Sequence, residues 1–256
     1  MFSDDLNACA AIVEKSDPDR FVVAMAAPVA ARRVLFPLFA FNCEVARAPW
    51  VTQEPLIAEM RLQWWRDALE EIGKGGSVRR HEVVTPLSEV LDAEGAVLLD
   101  QVIEARRWDI QSEPFEDEAG LRAHLDATSG SLLWAGARAL GAGGEGIVRD
   151  VGFASGLANW LRAIPELETR GRYPLPDGRA AAVQKLAREG LDRLRRARRA
   201  RRELRKATPV LMTAWQAGHV LRQVVAEPGR VAAGALETGE LRSKGSLLLR
   251  SITGRW

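Results

Sequence analysis

Cysteine and histidine are scarce in this sequence. Two cysteines, Cys9 and Cys43, and three histidines, His81, His124 and His219, occur among its 256 residues. The cysteines lie far apart, and neither has a second cysteine or a histidine at metal-ligand spacing. This pattern argues against a structural zinc site and fits a reducing compartment. We therefore interpret both cysteines as small core residues and the histidines as structural.

The signatures of several common enzyme classes are also missing. The sequence has no phosphate-binding loop of the form GxxxxGK[ST], no GxSxG motif and no HExxH motif. Each of these motifs carries a specific mechanism, respectively nucleotide binding, a nucleophilic serine and a zinc-bound water. No motif in the sequence therefore indicates a nucleotide hydrolase, an α/β-hydrolase or a zinc protease.

An excess of one charge and a long apolar run are equally absent. Thirty-six Lys and Arg residues against 34 Asp and Glu leave a formal charge of +2, so no whole-molecule field favours nucleic acid. The longest apolar stretch, residues 21–31, contains a proline and is shorter than the about 20 residues that a membrane-spanning helix needs. The acidic N-terminus lacks the basic start of a secretory signal. We expect a cytoplasmic protein, and any membrane contact is expected to be peripheral.

Helical periodicity, in contrast, runs through almost the whole sequence. Apolar residues recur at helical spacing, and no alternating run is bounded by a hairpin turn pair. The fold is therefore predicted to be all-α, with one domain over residues 1–256 because no linker is long enough to divide it. The predicted helices cover residues 6–15, a segment entered at Pro18, and residues 29–48, 54–72, 85–107, 116–140, 147–170, 179–207, 209–225 and 247–252.

The segment 54–72 is the most regularly patterned part of the sequence. Apolar side chains at i, i+4 spacing form two adjacent rows on one helix face. We predict that this whole face is buried. The rows are Leu56, Met60, Trp64 and Ala68, and beside them Ile57, Trp65 and Leu69.

The segment 179–207 is predicted to be a basic amphipathic helix. Ten Arg or Lys residues lie between Arg188 and Lys206 against three acids, which gives this stretch a net charge of +7. Three roles stay open: a solvated face, a surface from Arg193 to Arg205 for an anionic membrane or an acidic partner, and nucleic-acid binding. Nucleic acid is disfavoured because no aromatic side chain interrupts the arginines for base stacking.

Four segments carry a resemblance to a known family. They are residues 36–42 (FPLFAFN), 59–67 (EMRLQWWRD), 156–166 (GLANWLRAIPE) and 170–176 (RGRYPLP). In these segments and in this order, from Phe21 to Pro176 and more loosely beyond, the chain resembles the squalene/phytoene synthase family. The resemblance implies a single isoprenoid-synthase-like helical bundle around a central cleft.

Catalytic members of that family ionise an allylic diphosphate with Mg²⁺ held by two DxxxD-type motifs on facing helices. The resemblance places these motifs at positions 46 and 50 and at positions 163 and 167. This sequence has Ala46, Trp50, Ala163 and Leu167 there. The resemblance therefore implies no catalytic residue, no metal site and no cofactor, and we expect a filled or shrunken apolar cleft.

Polar residues around these positions are candidates for a ligand pocket. Asn159 and Arg162 match polar positions beside the second motif, whereas Cys43 stands where an arginine is expected before the first. Glu44 and Glu166 have arginines at helical spacing, which favours ordinary ion pairs over a rescued metal site. Two arginines near residue 30 have the chemistry to bind phosphate. The full candidate set is Arg32, Arg33, Cys43, Glu44, Asn159, Arg162 and Glu166.

Residues 42–46 (NCEVA), 131–134 (SLLW) and 161–165 (LRAIP) resemble the non-catalytic branch of the family, which includes a mitochondrial assembly factor of respiratory complex I. By that resemblance the protein assists complex I biogenesis through a protein partner, with an isoprenoid-like or other lipid ligand at a membrane face. Two alternatives stay open. One is an active head-to-head prenyl transferase that uses Mg²⁺ and prenyl diphosphates, and the other is a basic interaction module.

Overall fold

The protein is all-α, as predicted. The computed structural model describes residues 3–52, 54–111 and 113–236, and no strand occurs among them. In this part of the chain, the helices of eight or more residues are α1 (Asp4–Ser16), α2 (Pro18–Ala26), α3 (Val29–Arg47), α4 (Pro55–Gly73), α5 (Ala93–Arg106), α6 (Glu118–Leu125), α7 (Ser131–Ala139), α8 (Glu145–Thr169), α9 (Ala180–Arg199) and α10 (Ala217–Ala226).

Short helical turns connect these helices. They are Ala48–Trp50, Val84–Ser88, Trp108–Gln111, Asp126–Gly130, Arg205–Ala207, Thr208–Leu211, Met212–Ala214 and Gly229–Ala232. Several helices begin at a side-chain cap: the Asp17 carboxylate accepts a hydrogen bond from the Arg20 backbone N–H at 3.0 Å, and Pro18 occupies the first turn of α2. The chain therefore turns sharply between α1 and α2.

Four of the predicted helices are interrupted in the structure. Residues 85–107 and 116–140 are each divided, the first by an Asp92 cap that starts α5 and the second by a π-helical turn at Asp126–Gly130. The basic helix ends at Arg199 because the chain turns to bury Leu204 completely. Residues 209–225 divide between short turns and α10. The predicted helix 247–252 lies outside the described residues.

The prediction for the face of α4 is wrong in its first two turns. Leu56 and Met60 are 71% and 64% exposed, and Ile57 is also exposed. The buried stripe is rotated around the helix, because α4 packs against α5 through a different set of side chains with helical spacing. The buried residues are Ala58, Leu62, Trp65, Ala68, Leu69 and Ile72.

A hydrophobic core extends through the bundle, with α3 and α8 among its most buried helices. Phe36, Phe39 and Phe41 of α3 and Phe153 of α8 are almost fully buried. Burial on several sides explains why α3 reads as a nearly continuous apolar run rather than as an amphipathic stripe. In the described part of the chain, every helix is too short or too polar to cross a bilayer.

The π-helical turn Asp126–Gly130 packs directly against α8. A Cβ placed on Gly152 would lie 2.7 Å from the Gly130 Cα and 2.9 Å from the Ser129 carbonyl oxygen. A Cβ on Gly156 would meet the Ser129 side chain at a similar distance. The two glycines of α8 therefore allow the backbone of this turn to approach the helix as closely as it does.

Candidate functional site

A central cleft of about 710 Å³ lies between α3 and α8, and residues of α2, α10 and the turn before α10 complete its wall. This volume shows that the cleft is not filled, and its lining is polar as well as apolar, which corrects the expectation of a filled apolar cleft. Among the described residues, Thr128 and Ser129 of the π-helical turn and Ser155 of α8 contribute hydroxyl groups. The packing of the turn against α8 therefore shapes one side of the cleft.

All four positions where the resemblance places aspartates line this cleft. Ala163 and Leu167 lie one turn apart on α8, whereas Ala46 is in the last turn of α3 and Trp50 is in the following 3₁₀ turn. Positions 46 and 50 thus do not share one regular α-helix. None of the four side chains carries an oxygen atom, so none can coordinate Mg²⁺.

Acidic and basic side chains do line the cleft, and each of the acids is paired with an arginine. Five arginines and four acids line the cleft, and each of these arginines has an acidic partner. The pairs are Asp17–Arg20 at 3.1 Å, Asp19–Arg162 at 3.5 Å, Asp109–Arg106 at 3.3 Å and Glu166–Arg170 at 2.7 Å. The fifth arginine, Arg47, pairs with Glu44 outside the cleft at 2.9 Å.

The donor set of the cleft does not fit the divalent ion that the family uses. Hard cations need several carboxylate or carbonyl oxygens converging on one point. Within residues 3–52, 54–111 and 113–236, no three His, Cys, Asp or Glu side chains come together in a way that would hold a metal. The acids that are present face arginines, which compete with a cation for the same oxygens.

An aromatic cluster surrounds His124, which lines the cleft together with Trp160. The ring centroids of Trp108, Phe115 and Trp160 lie 5.1–5.8 Å from that of His124, and the Trp160 Nε1–H donates to the Pro174 carbonyl at 3.0 Å. Burial, with a smaller contribution from the nearby charge of Arg106, lowers the pKa of His124 to about 3. The imidazole is therefore neutral at physiological pH.

A buried carboxyl group lies close to this cluster. Asp109 is 2% exposed, and burial raises the pKa of its carboxyl group although Arg106 and Arg172 oppose the shift. The Arg172 guanidinium donates to the Asp109 carbonyl at 2.5 Å and lies over the Trp50 ring, 5.4 Å from its centroid. Sequence periodicity did not single out Asp109, because a lone acid in a polar stretch resembles any solvated residue.

The structure brings together only part of the predicted pocket set. Asn159, Arg162 and Glu166 line the cleft, and the predicted helical ion pair of Glu166 is formed with Arg170. Arg162 instead contacts Asp19 on α2 and the Gln216 side chain, which joins two walls of the cleft. These contacts are long range in sequence, so helical spacing alone gave no signal for them.

The other four residues of that set are not among the described residues that line the cleft. Arg32 donates to the backbone carbonyls of Met25 and Ala27, which closes the turn between α2 and α3, and Arg33 is exposed. Cys43 is buried, and burial raises the pKa of its thiol to about 11. Glu44 lines a separate cavity of about 220 Å³ with Trp64, Trp65 and His81.

The fold and the cleft define an all-α protein of the isoprenoid-synthase type. A sequence profile of squalene/phytoene synthases matches residues 13–240, so the chain belongs to the squalene/phytoene synthase family. A dehydrosqualene synthase crystal structure aligns with 97% of this chain and 95% of its own, with a TM-score of 0.70 and 14% identity. Squalene synthase HpnC from Alicyclobacillus acidocaldarius aligns with 98% and 94%, with a TM-score of 0.59 and 19% identity.

Several relatives of similar sequence are named as complex I assembly factors rather than as synthases. The chain is 33% identical over 168 residues to the Drosophila melanogaster "NADH dehydrogenase (ubiquinone) complex I, assembly factor 6 homolog", covering 61% of this chain and 50% of the relative. It is 24% identical over 173 residues to the Homo sapiens assembly factor 6, covering 66% and 52%. The chain therefore spans about half the length of these relatives.

Proposed function

We propose that this protein is a non-catalytic accessory factor in the biogenesis of respiratory complex I. The observation that carries the proposal is the pairing of an open cleft with Ala46, Trp50, Ala163 and Leu167 at the positions where the family holds its metal. The proposed role in complex I biogenesis is supported by the names of the relatives, which are complex I assembly factors. We further propose that the protein works through a protein partner at the inner membrane, from the cytoplasmic side.

The cleft itself is proposed to hold an isoprenoid-like lipid with an anionic head. Its apolar surface includes Trp50, Ala163 and Leu167, which suit a prenyl chain, and its arginines suit the head. Each guanidinium has five N–H donors, so an ion pair with one acid leaves donors for the anionic head, whereas the paired carboxylates leave a divalent ion without a free ligand set. The protein is therefore proposed to bind such a lipid without cleaving its bond to the diphosphate.

We predict that the purified protein binds farnesyl diphosphate equally well with Mg²⁺ and with EDTA, and releases no diphosphate in either condition. The arginines supply the positive charge for binding, whereas the cleft has no ligand set for the metal ion that would stabilise the leaving group. Calorimetry measures the binding, and a coupled diphosphate assay measures the release. Turnover that disappears on chelation would establish the alternative, an active prenyl transferase, and would end this proposal.

A pair of tryptophan variants locates the binding in the cleft. Ala163→Trp adds a large side chain to the cleft wall and is expected to abolish binding of farnesyl diphosphate. Ala180→Trp makes the same change at an exposed position at the start of α9 and is expected to leave binding unchanged. Equal binding by both variants would place the ligand elsewhere.

The assembly role is predicted to appear in cells that lack the gene. We expect such a strain to lose NADH-dependent respiration and assembled complex I while it keeps its carotenoids and hopanoids. Blue-native gels and NADH oxidation by membranes measure the first effect, and lipid extracts measure the second. Normal complex I together with loss of a prenyl product would favour the transferase instead.

A further inference from the structure

The basic stretch predicted from the sequence divides into two parts with different surroundings. Three arginines of α9 pair with acids of the same protein: Arg193 with Glu189 at 2.8 Å, Arg196 with Asp150 at 2.8 Å and Arg195 with Asp192 at 2.6 Å. Much of the charge of this helix is therefore neutralised within the fold, and this half of the stretch resembles an ordinary solvated face.

The cations from the last residue of the helix onward have no such partners. Residues 199–206, which we call the basic turn, contain five exposed cations and a single acid, Glu203. None of the five cationic side chains forms an ion pair or hydrogen bond with any other residue that the structure describes. They are Arg199, Arg201, Arg202, Arg205 and Lys206. Five unpaired cations thus lie within eight residues that begin at the last residue of α9.

The basic turn is fixed to the body of the protein by one side chain. Leu204 is fully buried, and its Cδ2 lies 2.9 Å from the position that a Cβ on Gly144 would occupy. Since Leu204 points inward, the arginines on either side of it are left at the surface. The chain therefore presents its free cations on a turn that is anchored rather than on a freely extended tail.

The chemistry of the basic turn distinguishes among anionic partners. Protein interfaces draw their affinity from aromatic and apolar anchors that become buried, and the basic turn exposes none. Single-stranded nucleic acid is usually held by stacking on aromatic side chains, which are also lacking. A surface of anionic lipid headgroups needs neither, because each cation near it gains energy from the surface potential alone.

We propose that the basic turn, and not the ion-paired arginines of α9 that precede it, is the surface by which this protein binds anionic phospholipid membranes. The inference goes beyond the proposed function, because it concerns a surface whose residues are not among those that line the cleft. It would hold equally for an accessory factor and for a transferase. The membrane is recognised through its phosphate-bearing headgroups and its negative surface potential, without an inserted segment.

Vesicle sedimentation tests the proposal with two charge-matched variants. The first, R201Q/R202Q/R205Q, removes three unpaired cations, and binding to vesicles of phosphatidylcholine mixed with phosphatidylglycerol is expected to fall by about a hundredfold. The second, R193Q/R195Q/R196Q, removes three ion-paired cations from α9, and its binding is expected to fall by less than about threefold. Circular dichroism and thermal unfolding show that each variant is folded.

Several outcomes would overturn the proposal. Equal losses in the two variants would show that only the net charge matters. Binding that persists in the first variant, or that is as strong on pure phosphatidylcholine, would exclude the basic turn. Tighter binding to duplex or single-stranded DNA than to the anionic vesicles at the same ionic strength would assign the turn to nucleic acid. None of these results depends on whether farnesyl diphosphate binds or reacts.

Discussion

Gly152→Ala is expected to lower the free energy of unfolding by about 3 kcal/mol, although alanine is the better helix former. The new Cβ would lie 2.7 Å from the Gly130 Cα and 3.0 Å from the Gly130 backbone nitrogen. Both neighbours are backbone atoms, so α8 and the π-helical turn must move apart, and overpacking of this kind outweighs the gain in helix propensity. Chemical denaturation measures the change.

Gly146→Ala is the matched control for this prediction. Gly146 belongs to the first turn of the same helix, and a Cβ placed there meets nothing within 4 Å. The same substitution should therefore leave the free energy of unfolding unchanged or raise it by up to about 0.5 kcal/mol. Equal destabilisation by both variants would mean that the close approach at Gly152 is not what limits its side chain.

The close approach at Gly152 also links the fold to the cleft. Thr128 and Ser129 of the turn and Ser155 of α8 all line the cleft, and the Thr128 hydroxyl donates to the His124 carbonyl at 2.7 Å. A separation of the turn from α8 would displace these groups together. We therefore expect Gly152→Ala to weaken ligand binding as well as folding, whereas Gly146→Ala affects neither.

Helical periodicity predicted most of the helices but not their interruptions. The pattern located α3 and α8 within one or two residues, because these helices are long and their apolar residues repeat over several turns. It missed the breaks at Asp92, at Asp126–Gly130 and after Arg199. Those breaks depend on a cap and on tertiary packing, in which Leu204 turns inward and Gly130 meets Gly152, and such contacts leave little trace in local periodicity.

The prediction of the buried face of α4 was wrong for a related reason. Leu56 and Met60 continue the apolar row formed by Trp64 and Ala68, so the sequence alone gives no ground for separating them. The neighbouring helix decides which stripe is covered, and α5 covers the one that contains Leu62. A periodic pattern fixes the spacing of a buried stripe more reliably than its rotation about the helix axis.

For the candidate site, too, the sequence located individual positions but not the contacts between distant residues. The resemblance led to Ala46, Trp50, Ala163 and Leu167, and the structure places all four around one cleft. The arginine–acid pairs that join its walls, such as Arg162 with Asp19, connect residues far apart in the sequence. The expectation of a closed cleft was wrong because the loss of aspartates was taken to require apolar filling, whereas paired charges and hydroxyl groups line the space.

The second large effect is expected at acidic pH and arises from His124. Burial lowers the pKa of this imidazole from 6.5 to about 3 in the folded protein, whereas the unfolded chain keeps the ordinary value. The unfolded state therefore binds one more proton between these two pKa values, and stability present above pH 6.5 is lost as the pH falls toward 3. The expected loss from this group is roughly 1.4 kcal/mol per pH unit.

Asp109 acts in the opposite direction. Burial raises the pKa of its carboxyl group above the ordinary value of 3.8, so between pH 3.8 and the folded pKa the native state binds a proton that the unfolded chain does not. Stability from Asp109 therefore rises as the pH falls through that window. The wild-type profile combines both groups, and only a variant that removes one of them separates the two slopes.

His124→Phe is expected to remove the acid-sensitive part of the profile, because phenylalanine keeps the ring contacts with Trp108 and Trp160 but cannot take up a proton. Between pH 6.5 and 4.5 the wild type should lose about 2–3 kcal/mol more than this variant. His219→Gln, at an exposed position, should follow the wild type. Urea unfolding at each pH measures the difference. Parallel profiles for the wild type and His124→Phe would mean that the buried imidazole is protonated in the folded protein near its ordinary pKa, and that the aromatic end of the cleft is open to water.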